Sequence, residues 1–306
     1  MSQANQYEYQ HPERFLGLPD QVSDLAHSQV VMLPLPLEQT TSYIGGTKRG
    51  PAALIEASQQ VEWYDYEFDG DSILAYGIHT LPTLHPTLES PQAAFEAIRE
   101  AITALLPTIG DKLLFTLGGE HSLTPAIVAA VAAQHPDLIM VQIDAHSDLR
   151  DSYEGTPYSH ACTARRTLDY APVIQFGIRS SSSEEIAFAR TTDRVQINRA
   201  DLMHSDTAKT YLDRARAAVA GRPVYLTIDV DGLDPSLIRA TGTPEPGGIG
   251  WYDCLELIKT VADGGRIVAV DCVELSPYDG EQSSAFTAAK LVYKTINYVM
   301  HQRGFI

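Results

Sequence analysis

Short apolar runs alternate with longer segments of helical periodicity along most of the chain, and this alternation constrains the fold more than any other feature. Six runs are apolar almost throughout and are the candidate strands: Val30–Leu35, Lys112–Leu117, Leu138–Ile143, Val173–Gly177, Pro223–Ile228 and Arg266–Asp271. Runs that lack polar alternation are typical of strands buried on both faces of a parallel sheet.

The segments between these runs predict helices, because several repeat apolar residues at spacings of three and four. They are Pro91–Leu106, Pro125–Gln134, Ser183–Arg190, Asp206–Ala220, Trp251–Ala262 and, at the end of the chain, Ser284–His301. Alternating strands and helices predict βαβ units and an α/β fold, with one sheet covered by helices on both faces. No linker or repeat divides the 306 residues, so we expect a single domain over residues 1–306.

The net charge and the length of the longest apolar stretch argue against nucleic-acid and membrane partners. The chain has 22 Lys and Arg against 39 Asp and Glu, a formal net charge of −17. A field of that sign repels phosphate backbones and anionic lipid surfaces, so we expect no nucleic-acid and no membrane partner. The most apolar uncharged stretch, Leu123–Gln134, is too short to cross a bilayer, which takes about 20 residues.

The cysteines and the N-terminus predict a cytoplasmic protein. Cys162, Cys254 and Cys272 are too few for a disulfide framework and lack the paired spacing of a structural zinc site. The segment from Met1 to Phe15 has no apolar core behind a basic start, so we do not expect a signal peptide. Both features are typical of a reducing compartment.

Ionisable side chains follow four of the six candidate strands. They lie in the segments Gly118-Gly119-Glu120-His121-Ser122, Asp144-Ala145-His146-Ser147-Asp148, Asp229-Val230-Asp231 and Cys272-Val273-Glu274. The carboxyl ends of parallel strands share one edge of a sheet, so these residues are expected to meet. Extended backbone repeats its side-chain direction every second residue, which lets the Asp-x-His-x-Asp and Asp-x-Asp groups each point toward one place.

This group of side chains predicts a metal centre. Two imidazoles and four carboxylates carry more negative charge than a buried site tolerates without cations. Nitrogen and oxygen ligands without a thiolate favour an ion such as Mn²⁺ over a structural zinc site, and bridging carboxylates can hold two ions about 3.5–4 Å apart. We expect two Mn²⁺ ions, with Ni²⁺ as an alternative, on His121, Asp144, His146, Asp148, Asp229 and Asp231.

At these residues the chain resembles the ureohydrolase family, which includes arginases, agmatinases, guanidinobutyrases and formimidoylglutamases. Long motifs in the family order carry the resemblance over most of the chain: Gly45-Gly46-Thr47-Lys48-Arg49-Gly50-Pro51, Gly118-Gly119-Glu120-His121, Asp144-Ala145-His146-Ser147-Asp148, Ser159-His160, Gly177-Ile178-Arg179-Ser180, and Asp229-Val230-Asp231-Gly232-Leu233-Asp234-Pro235 with Gly242-Thr243-Pro244-Glu245-Pro246-Gly247-Gly248. The resemblance implies a three-layer αβα fold with a central sheet of about eight parallel strands. It also implies a dimanganese centre, release of urea or formamide, and assembly into homotrimers or homohexamers.

The resemblance also implies which residues hold each ion. By motif position, His121, Asp144, Asp148 and Asp229 hold one ion, whereas Asp144, His146, Asp229 and Asp231 hold the other. Asp144 and Asp229 would then bridge the pair. A hydroxide between the two ions would attack the guanidinium carbon, and Asp148 would pass its proton to the leaving nitrogen.

Two further residues receive catalytic roles from the resemblance. Glu274 resembles the family carboxylate that pairs with the substrate guanidinium, whose planar donors match a carboxylate. His160 resembles the proton-shuttle histidine, since an ordinary pKa of about 6.5 lets an imidazole take and give protons near neutrality. The remaining histidines, at positions 11, 27, 79, 85, 135, 204 and 301, follow none of these strands and are expected to be structural or at the surface.

Three stretches are long loops, which are often functional in an α/β domain: Thr40–Pro51, Leu149–Ser159 and Thr241–Gly250. The second loop resembles that of agmatinases and lacks the polar residues with which arginases hold an α-carboxylate. The expected substrate is therefore a small cationic guanidino compound, agmatine, cleaved to putrescine and urea. Asp151 or Glu154 could meet its ammonium, whereas Arg150 could instead hold the carboxylate of guanidinobutyrate or guanidinopropionate.

Other functions stay open as alternatives. One is a ureohydrolase for a different guanidino compound, namely an arginase, guanidinobutyrase or guanidinopropionase. Another is a noncatalytic sensor of guanidine compounds, although no expected ligand or shuttle residue is missing. A one-zinc amide hydrolase of the deacetylase type is disfavoured by the paired Asp229 and Asp231 and by the position of Glu274.

Overall fold

The structure is a computed structural model, and it describes residues 13–306. Within that range the strands, in chain order, are β1 (Val30–Leu35), β2 (Tyr64–Asp65), β3 (Gly70–Asp71), β4 (Ile78–Thr80), β5 (Leu113–Gly118), β6 (Ile139–Ile143), β7 (Val173–Ile178), β8 (Val195–Arg199), β9 (Pro223–Asp229) and β10 (Arg266–Val273). Eight of these form one parallel sheet in the order β4-β1-β5-β10-β9-β6-β7-β8. The short β2 and β3 form a separate antiparallel pair.

Helices cover both faces of this sheet. Their bounds are α1 (Asp20–Ser23), α2 (Gly50–Ser58), α3 (Ile73–Tyr76), α4 (Pro91–Ile109), α5 (Thr124–Ala132), α6 (Thr163–Thr167), α7 (Ser183–Ala189), α8 (Ala200–Ser205), α9 (Thr210–Val219), α10 (Trp251–Gly264) and α11 (Ser283–Gln302). Helices α4, α5 and α6 pack in a row on one face, and α2, α11, α10 and α9 pack in a row on the other. The predicted three-layer α/β architecture is confirmed.

The central strands contribute to two hydrophobic cores, because successive side chains point to opposite faces. Met32 of β1 packs in the core beneath α2 and α11, whereas Val31 and Leu33 pack in the core beneath α4 and α5. All six residues of β1, β5 and β7 are buried. This burial on two sides is why these runs are apolar almost throughout.

The sequence pattern missed two strands of the large sheet, β4 and β8, which lie at its two edges. The edge strand β4 is only three residues long, and β8 at the opposite edge reads Val-Gln-Ile-Asn-Arg, with exposed Gln196 and Arg199. An edge strand has one neighbour and tolerates polar side chains, so it lacks the apolar run of a central strand. Helix α4 continues past its predicted end at Leu106 and ends at Ile109. Pro107 lies within its last turn.

The strand order places the predicted site. The four segments with ionisable residues follow β5, β10, β9 and β6, which are consecutive neighbours in the middle of the sheet. No helix within residues 13–306 is long and apolar enough to cross a membrane. His11 and most of the segment considered as a signal peptide lie outside the described residues.

Candidate functional site

The first group of candidate ligands surrounds His121, which follows β5 in a single turn of 3₁₀-helix. Its Nδ1 lies 3.2 Å from Oδ2 of Asp144, 3.2 Å from Oδ2 of Asp148 and 3.3 Å from Oδ2 of Asp229. All four residues are buried, and within the described chain this nitrogen has no hydrogen-bond partner of acceptable geometry. Three oxygens that converge on one unpartnered buried nitrogen are an arrangement that a shared cation would satisfy.

The second group consists of Asp144, His146 and Asp231. Nδ1 of His146 lies 3.1 Å from Oδ2 of Asp231 and 3.6 Å from Oδ1 of Asp144. In each of two sets, His121 with Asp144 and Asp229, and Asp144 with His146 and Asp231, the ligand atoms lie within 4.8 Å of one another. The structure therefore brings the six expected ligands together, and Asp144 is common to both sets.

One side-chain and one backbone hydrogen bond hold the shared carboxylate of Asp144 in place. Nε2 of Gln142 donates to its Oδ2 at 2.7 Å, and the backbone N–H of His146 donates to its Oδ1 at 2.5 Å. The turn after β9 approaches so closely that a Cβ on Gly232 would lie 2.7 Å from the backbone nitrogen of Asp144. Glycine at this position is what permits the ends of β6 and β9 to converge.

Two site residues have left-handed backbone. Asp148 has φ of 51° and Glu274 has φ of 65°. Residues other than glycine rarely adopt this conformation, and such strain concentrates where the surrounding structure uses it to aim a functional side chain.

The pKa values of the clustered carboxyl groups also favour a cation site. Burial, reinforced by the charge of Asp144, raises the pKa of Asp148 to about 7. Burial and the neighbouring Asp231 raise the pKa of Asp229 well above its usual value. Carboxylates packed this closely repel one another, and divalent cations would remove that repulsion. A donor set of imidazoles and carboxylates without thiolate fits two Mn²⁺ or Ni²⁺ ions.

Glu274 lies beside this cluster. Its Oε1 accepts a hydrogen bond of 2.6 Å from the backbone N–H of His121, and burial raises its pKa to about 8. A Cβ on Gly242 would lie 4.0 Å from its other carboxylate oxygen, so the loop over residues 241–250 passes next to it. The structure thus places Glu274 between a candidate ligand and a candidate substrate loop.

His160 is held by the loop after β1 and by a glutamate that sequence reasoning missed. Its Nε2 lies 3.2 Å from Oγ of Ser42, and its backbone N–H donates to Oγ1 of Thr40 at 3.0 Å. The fully buried Glu120 accepts from Thr40 Oγ1 at 2.8 Å and from the Thr40 and Gln39 backbone N–H groups. Burial lowers the pKa of the His160 imidazole, so its neutral form is favoured. Glu120 directly precedes the candidate ligand His121, and this position is the sequence feature that could have identified it.

A cavity of about 320 Å³ adjoins the cluster. Its wall includes His146, Asp148, Arg150, His160, Glu185 and Glu245. The candidate shuttle and two candidate ligands therefore line the same cavity. Sequence reasoning missed Glu185, since a helical pattern does not show which face of α7 meets the cavity. It also missed Glu245, although the loop that carries this residue was identified as a candidate.

The structure corrects the expectation for the substrate tail. The carboxylate of Asp151 is exposed and pairs with Arg166 at 2.9 Å and with Arg165 at 3.5 Å, so its charge is already compensated. Glu154 is exposed, and neither acid belongs to the described cavity wall. Arg150 does line the cavity, with its guanidinium over the ring of Tyr153.

Comparisons with known proteins agree with this geometry. A model of the arginase family matches residues 28–297. The N(1)-aminopropylagmatine ureohydrolase of Synechocystis sp. is 35% identical over 291 residues, which cover 94% of each chain. The agmatinase of Bacillus cereus is 35% identical over 274 residues, covering 87% of this chain and 90% of that relative. The crystal structure of the agmatine ureohydrolase of Thermoplasma volcanium matches with a TM-score of 0.82 at 29% identity, covering 93% and 95% of the two chains.

Proposed function

This chain belongs to the arginase family and is an agmatinase-like ureohydrolase, and on that premise we propose that it cleaves agmatine to putrescine and urea at a dimanganese centre. The observation that carries the proposal is the sharing of Asp144 between two sets of His and Asp ligands. A shared carboxylate keeps two cations close enough to act on one water molecule.

The proposed ligand sets use the residues that meet at the sheet edge. His121, Asp144, Asp148 and Asp229 would hold one ion, and Asp144, His146, Asp229 and Asp231 would hold the other. When bound, such a pair supplies a water nucleophile that is reactive near neutral pH, together with a fixed line of attack. The protein contributes the burial and the orientation of each carboxylate.

The remaining steps belong to side chains of the chain itself. Water adds to the guanidinium carbon, and the bond from that carbon to the alkyl nitrogen breaks to release urea. The leaving nitrogen must gain a proton. We assign Asp148 to accept a proton from the attacking water and to pass it to that nitrogen. Glu274 pairs with the guanidinium, which places the carbon beside the cluster.

His160 completes the proton balance in this proposal. Of the two protons of the attacking water, Asp148 passes one to the leaving nitrogen and the other is lost to solvent before neutral urea forms. The released amine is protonated at neutral pH, so it takes one proton back from solvent and the overall reaction consumes none. The imidazole faces the same cavity as Asp148 and is hydrogen-bonded to Ser42. A neutral imidazole held in this way can accept a proton from solvent and deliver it to the amine.

N(1)-aminopropylagmatine is a second candidate substrate. Relatives with that activity in their names match this chain as strongly as those named agmatinase. The two substrates share the guanidinium end and differ only in the length and charge of the amine end. The carboxylate that pairs with the guanidinium therefore does not distinguish them, whereas a residue of the cavity wall that meets the amine would.

A screen of urea release tests the proposal. The purified protein would be loaded with Mn²⁺, and separately with Ni²⁺, and assayed with agmatine, N(1)-aminopropylagmatine, arginine, guanidinobutyrate and guanidinopropionate. We expect the highest kcat/KM for agmatine with Mn²⁺. A preference for arginine or guanidinobutyrate would contradict the substrate assignment. Guanidine-compound binding without urea release from any of them would favour the sensor hypothesis.

Assembly and location form a further part of the proposal. The family resemblance supports a homotrimer or homohexamer, and the three buried free cysteines fit a reducing cytoplasm. Light scattering during size-exclusion chromatography measures the assembly directly. A monomer would contradict it.

A further inference from the structure

The acidic residues of the cavity wall differ in what each one contacts. Glu185 is buried and accepts hydrogen bonds from Oγ of Ser147 at 2.7 Å and from the backbone N–H groups of Leu149 and Ser182 at 2.9 and 2.7 Å. Its Oε2 also lies 3.8 Å from Nε of Arg150, so these two opposite charges offset each other. Asp148 belongs to the candidate metal cluster. Glu245 is the remaining acidic residue of the described wall.

The carboxylate of Glu245 is available to a ligand. Its side chain is 37% exposed, and no hydrogen bond from the described part of the chain reaches its carboxylate oxygens. Nε2 of the His146 imidazole lies 4.0 Å from Oε1 of Glu245, which is the outer limit of an ion pair and beyond hydrogen-bond distance. This carboxylate therefore sits at the cluster without being satisfied by it.

The backbone that carries Glu245 is fixed. The guanidinium of Arg179 donates to the carbonyl oxygen of Glu245 at 2.7 Å and to that of Pro246 at 3.1 Å. The same group donates to the carbonyl oxygen of Asp231 at 2.7 Å. Arg179 thus ties the loop over residues 241–250 to the end of β9, which sets the position of Glu245 relative to the candidate ligands.

We propose that Glu245 is the specificity determinant that receives the cationic end of the substrate, so that the site selects guanidinoalkylamines over guanidino acids. The inference rests on the proposed function. Its chemistry is the pairing of an ammonium or secondary ammonium with a carboxylate that no Lys or Arg side chain of the described residues pairs with, in a cavity whose guanidinium is already compensated. The hydroxyls of Ser180, Ser181 and Thr243 line the same wall and can accept the remaining N–H bonds.

The test compares two substrates that differ only in the tail. Agmatine and butylguanidine share the guanidinium and the four-carbon chain, but butylguanidine has no amine. Glu245→Gln keeps the size of the side chain and removes its charge. We expect kcat/KM for agmatine to fall by about 10-fold to 100-fold, mainly through KM, because a charge-assisted hydrogen bond is lost. Turnover of butylguanidine should stay within twofold.

Two further variants make the result specific. Glu100→Gln is the matched control, since it makes the same change at an exposed acid of α4 outside the cavity wall, and it should alter neither substrate. Glu245→Lys places the opposite charge at the same point, so it should shift the ratio of kcat/KM from agmatine toward guanidinobutyrate. Elemental analysis should find two metal ions in the wild-type protein and in every variant.

Several results would overturn the inference. An equal loss for agmatine and butylguanidine, or a loss of metal in Glu245→Gln, would mean that Glu245 supports His146 instead of the tail. Unchanged kinetics in both Glu245 variants would mean that the tail binds elsewhere. A metal-loaded wild-type protein that hydrolyses neither compound would overturn the proposed function together with this inference. An equal loss, a loss of metal or unchanged kinetics would overturn only the role of Glu245 and would leave the proposed function standing. An inactive metal-loaded wild type would overturn both, so the two failures can be told apart.

Discussion

Nε2 of His121 lies 2.8 Å from Oγ1 of Thr227, so the imidazole is held by the nitrogen opposite the one that faces the carboxylates. Thr227 of β9 is paired in register with Asp271 of β10. Asp271 is fully buried and accepts hydrogen bonds from Thr124 and Tyr225. A histidine whose second nitrogen is hydrogen-bonded presents its first nitrogen in one tautomer and one orientation.

This relationship predicts that Thr227→Val weakens metal binding. Valine keeps the shape of threonine and removes the hydroxyl, so the ring of His121 loses its anchor. We expect the affinity for Mn²⁺ to fall by about 10-fold to 100-fold, measured by competition with a chelator. Thr116→Val is the matched control. Thr116 of β5 is in register with Asp271 on the opposite side from Thr227, and its hydroxyl makes no hydrogen bond within the described chain. Equal losses in both variants would contradict the prediction.

Removal of the shared ligand should cost more metal than removal of an unshared one. Asp144→Ala is expected to lose both ions, because Asp144 is common to both ligand sets. His121→Ala is expected to lose mainly one ion. Elemental analysis of the purified variants measures this directly, and two ions retained in Asp144→Ala would refute the shared role.

His160→Asn should separate proton transfer from metal binding. The variant removes the titrating group, so kcat should fall by about 10²-fold to 10⁴-fold while two ions remain bound and KM changes little. Metal loss in this variant would instead make His160 a ligand or a structural support.

The pH dependence of the wild-type enzyme should show where His160 titrates. Burial disfavours the charged imidazolium, so the pKa of His160 lies below its usual value of about 6.5. The neutral imidazole therefore persists to lower pH than an exposed histidine would allow. His160 must carry the proton that it delivers to the amine, so its contribution to kcat should decline as the pH rises above this lowered pKa. We therefore expect the ratio of kcat between wild type and His160→Asn to shrink with increasing pH, and a ratio that grows with pH would contradict the donor role.

A buried ion pair away from the site offers a test of stability. Nζ of Lys294 lies 3.0 Å from both carboxylate oxygens of Asp65, and it also pairs with Glu67. Lys294→Met leaves Asp65 buried without its cation, which should lower the free energy of unfolding by about 3–5 kcal/mol. Lys209→Met removes an exposed partner of Asp253 and should cost less than about 1 kcal/mol. Urea denaturation compares the two, and equal effects would contradict the prediction.

The same pair should weaken in acid. Burial alone raises the pKa of Asp65, but the ammonium of Lys294 outweighs it and holds that pKa below its usual value. A carboxyl with a lowered folded-state pKa contributes stability above its ordinary value of about 3.9, and it loses that contribution as the pH falls through the lowered value. The stability difference between wild type and Lys294→Met should therefore shrink below about pH 4. A difference that stays constant down to pH 2 would show that the charge of Asp65 is not what Lys294 stabilises.

The sequence by itself determined the parallel sheet, its central strands and the residues at their carboxyl ends. Burial on both faces forces apolar runs such as Val30–Leu35, and those runs can be recognised without knowing their neighbours. The ends of such strands must share one edge, so His121, Asp144 and Asp229 could be brought together from the pattern alone. The edge strands β4 and β8 left no comparable pattern, because a strand with one neighbour is free to carry polar residues.

Only the tertiary structure decided which charges are already compensated. Asp151 and Glu245 are both acids in candidate loops, and nothing local to either distinguishes them. Asp151 pairs with two arginines because α6 brings Arg165 and Arg166 against it, whereas the carboxylate of Glu245 receives no arginine because Arg179 holds its backbone instead. Glu120, Thr227 and Glu185 likewise acquire their roles through contacts across 36 or more positions of the chain. Compensation of a charge depends on distance in space, and a one-dimensional pattern carries no record of that distance.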